Sequence, residues 1–336
     1  MHTAELTEAD IERLLEKLAA LRHEVQKVIV GQHETLEQLL TAFIAGGHCL
    51  LEGVPGLAKT LMIRTLAEAV ALQFRRIQFT PDLMPSDIIG TEILEEDHTT
   101  GKRFFKFNKG AIFSNIVLAD EINRTPPKTQ SALLEAMQEF EVTQGGITYK
   151  LDRPFFVLAT QNPIEQAGTY PLPEAQLDRF LLYIKIDYPT EAEEIQVLTT
   201  TTGSKRVQVE TVMNAQDILD LQHIVREVTI SQQLVQYVAQ LVRATRPATS
   251  TMSFVKDWVG WGAGPRAGQA MILTAKARAL LKHRFAVTLE DIRAMAFPVL
   301  RHRVIVNFKA EAEQVTSDTV TKELLARLPE PKSPLM

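Results

Sequence analysis

A glycine-containing octet, placed between an apolar run and a helical pattern, constrains this chain more than any other feature of its sequence. The octet follows residues 48–52, precedes residues 61–71, and reads Gly53-Val54-Pro55-Gly56-Leu57-Ala58-Lys59-Thr60. Its spacing matches the phosphate-binding pattern G-x-x-x-x-G-K-[ST], except that Ala58 stands where the last glycine is expected. An alanine is tolerated there if the position lies on the first turn of the helix. The octet therefore predicts a strand, a phosphate-binding loop and a helix in succession.

The residue types in this loop fit a nucleoside triphosphate bound with Mg²⁺. Successive backbone N–H groups would curl around the β-phosphate, and the helix N-terminus adds a partial positive charge. Lys59 would reach the β- and γ-phosphate oxygens, and the Thr60 hydroxyl would be a ligand of Mg²⁺. The predicted phosphate-binding residues are Gly53, Val54, Pro55, Gly56, Leu57, Ala58, Lys59, Thr60 and Leu61. ATP is favoured over GTP because the sequence lacks an Asn-Lys-x-Asp guanine motif.

Polar residues follow two other apolar runs that are predicted to be strands. Asp120 and Glu121 come directly after residues 116–119, and Asn162 follows residues 155–159. Because the carboxyl ends of parallel strands face one crevice, we expect these side chains near the phosphate loop. Asp120 would then hold Mg²⁺ through water, and Glu121 would polarise the water that attacks the γ-phosphate. Asn162 would orient that water or contact the γ-phosphate, although an Asn-Pro pair alone is more often a turn.

Short apolar runs alternate with helical patterns in the first part of the chain. Runs of this kind, separated by helices, are typical of a doubly wound parallel sheet between two helical layers, an α/β fold. The predicted strands are residues 48–52, 76–79, 116–119, 155–159 and 181–186. Two helices are predicted before them: the first is capped by Thr7 with Asp10 three residues later, and the second covers residues 34–45.

Two interruptions and a change of composition complete the predicted organisation. Residues 80–113 are too long for a simple connection and contain a hairpin tip at residues 99–102, and a second hairpin is predicted at residues 141–151. Beyond residue 188 the strand pattern fades, and helices are predicted at residues 191–199, 215–228, 231–244, 265–283 and 289–300. We therefore predict a nucleotide-binding αβα domain over residues 1–188 and a smaller all-helical domain over residues 189–336.

Composition narrows the class of protein. Lys and Arg total 36 against 41 Asp and Glu, so the net charge of −5 disfavours a protein that coats duplex nucleic acid. Three short basic groups are expected on solvated faces: Arg75-Arg76, Lys102-Arg103 and Arg301-His302-Arg303. The single cysteine, Cys49, excludes a disulfide framework and is expected to be a small buried strand residue. The acidic N-terminal sequence lacks the pattern of a signal peptide, and no apolar stretch is long enough for a membrane span, which predicts a cytoplasmic protein without membrane insertion.

Several longer motifs resemble those of the MoxR family of AAA+ ATPases, and the resemblance covers roughly residues 25–310. The most specific motif is the segment after the acidic pair, which reads DEINRTPPKTQSALLEAMQE at residues 120–139. The others are TPDLMPSDIIG at residues 80–90, ATQNP at 159–163, LPEAQLDRF at 172–180 and GPRA at 264–267. The chain departs from the family pattern at Ala58, at Thr125, where alanine is frequent, and at Gly264, where serine is frequent.

The resemblance implies roles for residues that match the family motifs. Asn162 resembles sensor 1, and Arg179 resembles the arginine finger that enters the ATP site of a neighbouring subunit. Arg266 resembles sensor 2 at the start of a lid helix, so the domain of residues 189–336 would be the lid. The predicted catalytic residues are then Glu121, Asn162, Arg179 and Arg266, with Thr60 and Asp120 as metal ligands and Val30 and Gly31 lining the adenine.

Two of these roles have simpler alternatives in the sequence. Arg179 would pair with Asp178 or Glu174 at a surface if it is not an arginine finger. Arg266 would be an ordinary solvated residue at a helix start if it is not a sensor.

The resemblance also implies a biological role, which is that of an ATPase acting in a homo-oligomeric ring, a hexamer by family resemblance. MoxR-like proteins are implicated in chaperone-like assembly and metal-cofactor insertion, often with proteins that carry von Willebrand factor A-type domains. A partner of that class and a client protein complex are therefore expected. The runner-up is an ATPase subunit of the magnesium-chelatase type, which shares this architecture. A nucleic-acid motor and a non-hydrolysing scaffold are disfavoured, the first by the acidic composition and the second by Glu121 and Arg179.

Overall fold

The computed structural model describes residues 6–96, 103–164, 168–203 and 207–331. The predicted hairpin tip at residues 99–102 lies outside these described residues. Within them, the strands in chain order are β1 (Cys49–Glu52), β2 (Phe74–Gln78), β3 (Gly90–Glu96), β4 (Arg103–Lys109), β5 (Ile116–Asp120), β6 (Glu141–Gln144), β7 (Ile147–Lys150), β8 (Phe156–Gln161), β9 (Leu182–Lys185), β10 (Val259–Trp261) and β11 (Ile305–Val306).

The α-helices of the described residues flank these strands and dominate the C-terminal part of the chain. In chain order they are α1 (Glu8–Val28), α2 (His33–Ala45), α3 (Lys59–Ala69), α4 (Pro85–Ile89), α5 (Pro127–Glu139), α6 (Glu174–Leu177), α7 (Glu191–Thr201), α8 (Ala215–Glu227), α9 (Gln232–Ala244), α10 (Ser253–Trp258), α11 (Pro265–Leu281), α12 (Leu289–Leu300), α13 (Phe308–Ala312) and α14 (Ser317–Arg327). Single 3₁₀ turns lie at Ala111–Phe113 and Ile122–Arg124. The predicted cap of α1 is present, since Thr7 and Asp10 form a reciprocal capping box.

A five-stranded parallel sheet forms the centre of the fold. Its order is β2–β5–β8–β1–β9, and each strand contains most of one predicted apolar run. The predicted α/β doubly wound sheet is therefore confirmed. β2 begins at Phe74, two residues before the predicted start, and its Arg75 and Arg76 are exposed. The apolar pattern is weak there because β2 is an edge strand with incomplete cover.

The side chains of the inner strands alternate between two cores. Cys49, Leu51, Ile116, Leu118, Phe156 and Leu158 belong to a core shared with α1, α2, α3 and the helices that follow α7. Leu50, Val117, Ala119, Val157 and Ala159 belong to a second core with α5 and the β6–β7 hairpin. Strands buried on both faces explain why the sequence shows continuous apolar runs instead of alternation. The result is a sheet between two covering layers.

Both predicted interruptions of the α/β rhythm contain antiparallel strand pairs. β3 pairs with β4 inside the long segment of residues 80–113, and α4 precedes this pair. β6 pairs with β7 around Gly145 and Gly146, which both have positive φ angles of 58° and 79°. The hairpin at residues 141–151 is therefore where the sequence predicted it.

The C-terminal part is helical but not entirely so. The antiparallel pair β10–β11 lies among its helices, so the prediction of an all-helical domain was wrong in this detail. The sequence analysis did not predict α10, α13 and α14. The first two are too short for a helical repeat of apolar residues to be recognised, and α14 lies near the end of the sequence. The domain boundary near residue 188 stays a prediction, since α1 and α2 share one core with the C-terminal helices.

His302 and Arg303 of the basic group at residues 301–303 are buried and Arg301 is partly buried, which corrects the expectation of a solvated face. The Arg303 side chain is 5% exposed, and its guanidinium contacts the Asp178 carboxylate at 2.7 Å. It also donates to the backbone oxygens of Phe180 and Val299 at 2.8 and 2.7 Å. These residues join the end of α12 to the segment before β9.

Within the described residues, no helix combines the length and apolarity that crossing a bilayer requires.

A second buried histidine, His48, lies just before β1. Its Nδ1 accepts a hydrogen bond from the Val157 amide at 3.1 Å, so its Nε2–H donates to the Met137 oxygen at 3.0 Å. Burial lowers the pKa of His48 to about 4, from an ordinary value of 6.5. The folded protein therefore holds this imidazole neutral, in one tautomer, over the range in which an unfolded chain would protonate it.

We predict that His48 makes stability fall with acidification. Because its pKa is lower in the folded protein, the contribution is complete above pH 6.5 and declines as the pH falls toward 4. The expected loss attributable to this residue is about 3 kcal/mol in the free energy of unfolding. Urea denaturation at pH 7 and pH 4.5 should show a smaller pH dependence for His48→Gln than for the parent. The exposed His223→Gln is the control, and an unchanged slope in the His48 variant would contradict the prediction.

Candidate active site

The glycine-containing octet forms the predicted loop between β1 and α3. β1 ends at Glu52 and α3 begins at Lys59, so residues 53–58 form the loop itself. Ala58 precedes the helix and has a left-handed backbone with φ 56° and ψ 21°. Ala58 is therefore not on the first helical turn, and the condition under which an alanine would be tolerated there without strain is not met. A glycine is common at this position because the left-handed conformation costs an L-residue about 1–2 kcal/mol.

We predict that Ala58→Gly stabilises the protein by about 1 kcal/mol, because glycine adopts a positive φ without steric cost. The matched control is Ala19→Gly on the exposed side of α1, where the same substitution should destabilise by about 1 kcal/mol through lower helix propensity. Urea denaturation of both variants gives the comparison. Equal destabilisation by the two substitutions would contradict the strain assigned to position 58.

The loop is shaped to surround an anion. Pro55, Gly56 and Ala58 are exposed, and a Cβ added at Gly56 would have no atom within 4 Å. Within the described residues, no acceptor takes a hydrogen bond from the amides of Val54, Gly56, Leu57 or Ala58. Several backbone donors at a helix N-terminus, with space in front of them, make an anion-binding cradle. Lys59 and Thr60 open α3, and Leu61 on its outer side is 42% exposed.

The Lys59 ammonium group lies inside this cradle. Its Nζ donates to the Gly53 oxygen at 2.7 Å. Partial burial is the largest influence on the pKa of Lys59 and lowers it, while the nearby charges of Asp120 and Glu121 act in the opposite direction. The loop lysine and the acidic pair therefore share one electrostatic environment, as the sequence predicted from the two strand ends.

The acidic pair lies at the carboxyl end of β5, next to the end of β8. Thr160 joins its two residues: the Thr160 hydroxyl donates to Asp120 Oδ1 at 2.6 Å and accepts from the Glu121 amide at 2.9 Å. Glu121 has a left-handed backbone with φ 58°, an uncommon conformation that often marks functional positions. Asp120 is buried, whereas Glu121 is half-buried and reaches the crevice.

Two residues of β2 hold the acidic pair, and the sequence reasoning missed both roles. Arg76 contacts Asp120 Oδ2 at 2.6 Å, and it also donates to the Gln78 side-chain oxygen at 2.5 Å. Gln78 Nε2 donates to Glu121 Oε2 at 2.7 Å. Arg124 lies 3.3 Å from the same Glu121 oxygen. The available signal was the position of Gln78 at the end of a strand that pairs with β5, since its register partner is Asp120.

Asn162 lies one residue beyond the end of β8 and is buried. Its side-chain oxygen accepts a hydrogen bond from the Ile164 amide at 3.2 Å, which leaves its NH₂ group as a donor. Glu52 and Gln161 are register partners in β1 and β8, and the Gly53 amide donates to the Gln161 oxygen at 3.3 Å. The structure thus brings Asn162 to the same end of the sheet as the loop and the acidic pair.

The segment with Val30 and Gly31 lies at the same end of the sheet. Gln32 Nε2 donates to the Asp187 backbone oxygen at 2.9 Å. Ile186, the residue before Asp187, packs so closely on Gly53 that a Cβ added at Gly53 would clash with its side chain. A cavity of about 420 Å³ adjoins this segment, with Lys185, Tyr188 and Phe297 among its lining residues. This is a mixed polar and aromatic space within the size range of small-molecule pockets.

Arg179 and Arg266 lie at the opposite end of the sheet. Both line a cleft of about 350 Å³ together with Gly47 and His48, which precede β1. The Leu181 amide bonds to the His48 oxygen at 2.8 Å, which places Arg179 at the amino end of the strands. Four strand residues span about 13 Å, so neither arginine adjoins the phosphate loop of its own chain. The structure does not bring these two predicted residues together with the others.

The alternatives for these arginines are tested by their contacts. Arg179 is exposed and donates to the Leu134 backbone oxygen at 2.9 Å. Asp178 instead pairs with Arg303 at 2.7 Å and lies 3.6 Å from Arg266. The surface pair expected for Arg179 is therefore absent from the described residues. The Arg266 side chain is 60% exposed, so both arginines present their charges in one open cleft.

The oxygen donors at the loop end of the sheet fit Mg²⁺. Thr60 supplies a hydroxyl and Asp120 a carboxylate, and Mg²⁺ in nucleotide sites is usually bound by one or two protein oxygens, phosphates and waters. Within the described residues, no group of three or more His, Cys, Asp and Glu side chains forms an all-protein metal site. The donor set therefore suits a metal that arrives with a phosphate ligand.

Comparisons with known proteins agree with this geometry. The family model described as "ATPase family associated with various cellular activities (AAA)" matches residues 48–182, and an AAA lid domain model matches residues 253–324. The chain is 45% identical to Chaperone MoxR1 of Mycobacterium tuberculosis, over 90% of this chain and 79% of that one. The chain belongs to the MoxR family of AAA+ ATPases. Relatives of this MoxR-family chain include YeaC of Bacillus subtilis, 42% identical over 96% of both chains.

A solved structure supports the fold of this MoxR-family ATPase over its whole length. The crystal structure of a candidate ATPase from Cytophaga hutchinsonii superimposes with a TM-score of 0.89 and is 44% identical. The superposition covers 97% of this chain and 98% of that one. The core and the helical lid region therefore belong to one conserved architecture.

Proposed function

We propose that this MoxR-family protein hydrolyses ATP with Mg²⁺ in a ring of identical subunits and uses the energy to remodel or mature client proteins. One observation supports the proposal above the others. The loop, the acidic pair and Asn162 lie at one end of the sheet, whereas Arg179 and Arg266 lie at the other. A single chain thus carries two complementary halves of a hydrolytic site.

The residues at the loop end divide the chemistry. The amides of Val54, Gly56, Leu57 and Ala58 and the Lys59 ammonium group would bind the phosphates. Thr60 and Asp120 would hold the metal, which would neutralise phosphate charge. Glu121 accepts a proton from the attacking water as its general base. Gln78 and Thr160 fix the orientation of Glu121 through its carboxylate and its amide, and Asn162 donates its NH₂ group to the γ-phosphate or the water. Val30 and Gly31 lie against the adenine.

The residues at the other end complete the site of a neighbouring copy. Arg179 and Arg266 lie too far from their own loop, but head-to-tail association would place them against the loop of the next subunit. Their charges would stabilise the transition state there, as arginine fingers do. Repeated head-to-tail contacts close into a ring when the rotation permits, and family resemblance favours a hexamer.

The proposed role in the cell is a chaperone-like one. The relative from Mycobacterium tuberculosis bears the name chaperone, and we extend that class of role to this chain. A protein with a von Willebrand factor A-type domain and a client complex, such as one that receives a metal cofactor, are the proposed partners. Arg303 is buried, and Arg301, Arg303 and Arg76 are each paired with a carboxylate, so these cations do not favour a motor.

We predict that Lys59→Ala abolishes nucleotide binding, whereas Glu121→Gln retains binding and loses hydrolysis. The reason is that Lys59 contacts phosphate in the ground state, whereas Glu121 acts on water in the reaction. Equilibrium binding of a fluorescent ATP analogue and phosphate release separate the two effects. Tight binding by the Lys59 variant, or near-normal turnover by the Glu121 variant, would refute these assignments.

The same two variants can be compared by affinity capture in the presence of ATP. A client should be retained on the Glu121 variant and not on the Lys59 variant.

We further predict that activity requires association and that two inactive variants rescue each other. An arginine finger contributes about 10³- to 10⁵-fold in rate, so a dilute monomer should be nearly inactive. Mixing Arg179→Ala with Lys59→Ala subunits should restore turnover, since each supplies the half that the other lacks. Specific activity is measured against protein concentration and mixing ratio. Turnover that is independent of concentration, without rescue, would show that Arg179 does not act in a neighbouring site.

A further inference from the structure

The helix α7 has an apolar face that is left uncovered by the residues the structure describes. No residue of α7 is buried, and Ile195 and Leu198 are 58% and 57% exposed. Glu193 and Val197 are partly buried and face the protein, and at helical spacing Ile195 and Leu198 lie on the opposite side. The apolar pair therefore points directly away from the molecule.

A helix of this kind is not expected to be stable without a partner. α7 has 11 residues, and isolated helices shorter than about 12–15 residues are marginal in water. Its N-terminus is well capped, because Thr190 and Glu193 form a capping box, but a cap contributes only about 1 kcal/mol. Ile195 and Leu198 thus stay mostly exposed to water in the monomer, where this exposed apolar surface does not stabilise the fold.

An apolar groove of matching character lies in the lid, between α9 and α11. It has a volume of about 330 Å³, and Val235, Ala239, Val242 and Ile272 line it. Gly268 of α11 also lines the groove, and a Cβ there would make ordinary contact with Val238 and Val242 at 3.7 and 3.9 Å. The groove therefore offers space for branched aliphatic side chains.

The charges that flank the two surfaces are opposite. Glu191 and Glu194 are exposed in the first turn of α7, Glu191 on the same helical face as the apolar pair and Glu194 at the edge of that face. Arg243 and Arg246 line the groove, and within the described residues no carboxylate pairs with either of them. Opposite charges around apolar surfaces favour one docking orientation and select against others.

The two surfaces lie at the two ends that the proposed ring contact would join. Glu193 of α7 lies against Gly31, beside the nucleotide end of the sheet. The groove shares Gln269 with the cleft that holds Arg179 and Arg266. A copy that presents its arginine cleft to the nucleotide end of the next therefore also presents its groove to the side on which α7 lies.

We propose that α7 of one subunit docks into the α9–α11 groove of the adjacent copy, with Ile195 and Leu198 in the groove and Glu191 and Glu194 against Arg243 and Arg246. The occupant is a second copy of this chain, because the same chain carries both complementary surfaces. The contact rests on the proposed ring function and adds a second, lid-based attachment to it. It links α7, which touches the nucleotide end of one subunit, to α11 of the next, whose second residue is Arg266.

Cysteine pairing gives a direct test, since the only native cysteine, Cys49, is fully buried. Leu198→Cys and Ala239→Cys are made in separate chains, mixed with ATP and magnesium, and oxidised. A covalent dimer between the two chains is expected. The matched control replaces Ala239→Cys by Gln240→Cys, on an exposed position of α9 outside the groove, and should give no comparable dimer. Equal yields in both mixtures, or none in either, would overturn the proposal.

Charge exchange tests the same contact without a crosslink. Glu194→Arg should raise the protein concentration needed for half-maximal assembly roughly tenfold, measured by sedimentation velocity. Adding Arg243→Glu in the same chain should restore assembly to within about twofold of the parent, whereas Glu16→Arg on α1 should have no effect. Failure of the second substitution to rescue the first would overturn the docking. The mixing experiment with Arg179→Ala and Lys59→Ala subunits tests the ring separately from this docking contact. Rescue there together with failure of the charge exchange would overturn only the docking, whereas absence of rescue would overturn the ring proposal.

Discussion

The parallel register of β5, β8 and β1 is the constraint on which the chemistry of this molecule depends. Ala119 lies opposite Ala159, and Glu52 lies opposite Gln161, so the residues that follow these strands leave the sheet at one level. A slip of one residue would turn each side chain to the other face of the sheet. The phosphate loop, the acidic pair and Asn162 are brought together by backbone pairing, and the side chains only refine the arrangement.

Thr160 is the main refinement. Its hydroxyl binds the Asp120 carboxylate and the Glu121 amide at once, so a residue on β8 fixes both members of the pair on β5. This hydroxyl is fully buried, and a buried polar group without partners would cost about 1–3 kcal/mol. Both of its bonds are therefore needed for the fold as well as for the geometry of the acids. The left-handed backbone of Glu121 is held by the same contact.

The sequence predicted the parts of the fold that leave a pattern and missed those that depend on packing. Strands buried on both faces appear as apolar runs, and the loop between β1 and α3 has a fixed spacing. The sheet was therefore predicted, and so was the position of the loop, the acidic pair and Asn162 at one end of it. The backbone of Ala58 was not, because a residue type does not reveal its φ angle. Arg301 and Arg303 looked like surface charges because their partners, Asp318 and Asp178, are distant in sequence. Gln78 was missed for the same reason, since only the strand pairing places it beside Glu121.

The buried Arg303 helps to explain why Arg179 and Arg266 lie together in one cleft. It holds the carboxylate of Asp178, which directly precedes Arg179, and it donates to the Val299 oxygen in α12 of the lid. The Arg303 side chain is buried, so leaving its charge without Asp178 would be costly, and the contact holds α12 against this segment. Arg266 approaches the same Asp178 from α11. Two lid residues, Arg303 and Arg266, therefore contact the segment before β9, and under the proposed function a force on the lid would also act on Arg179.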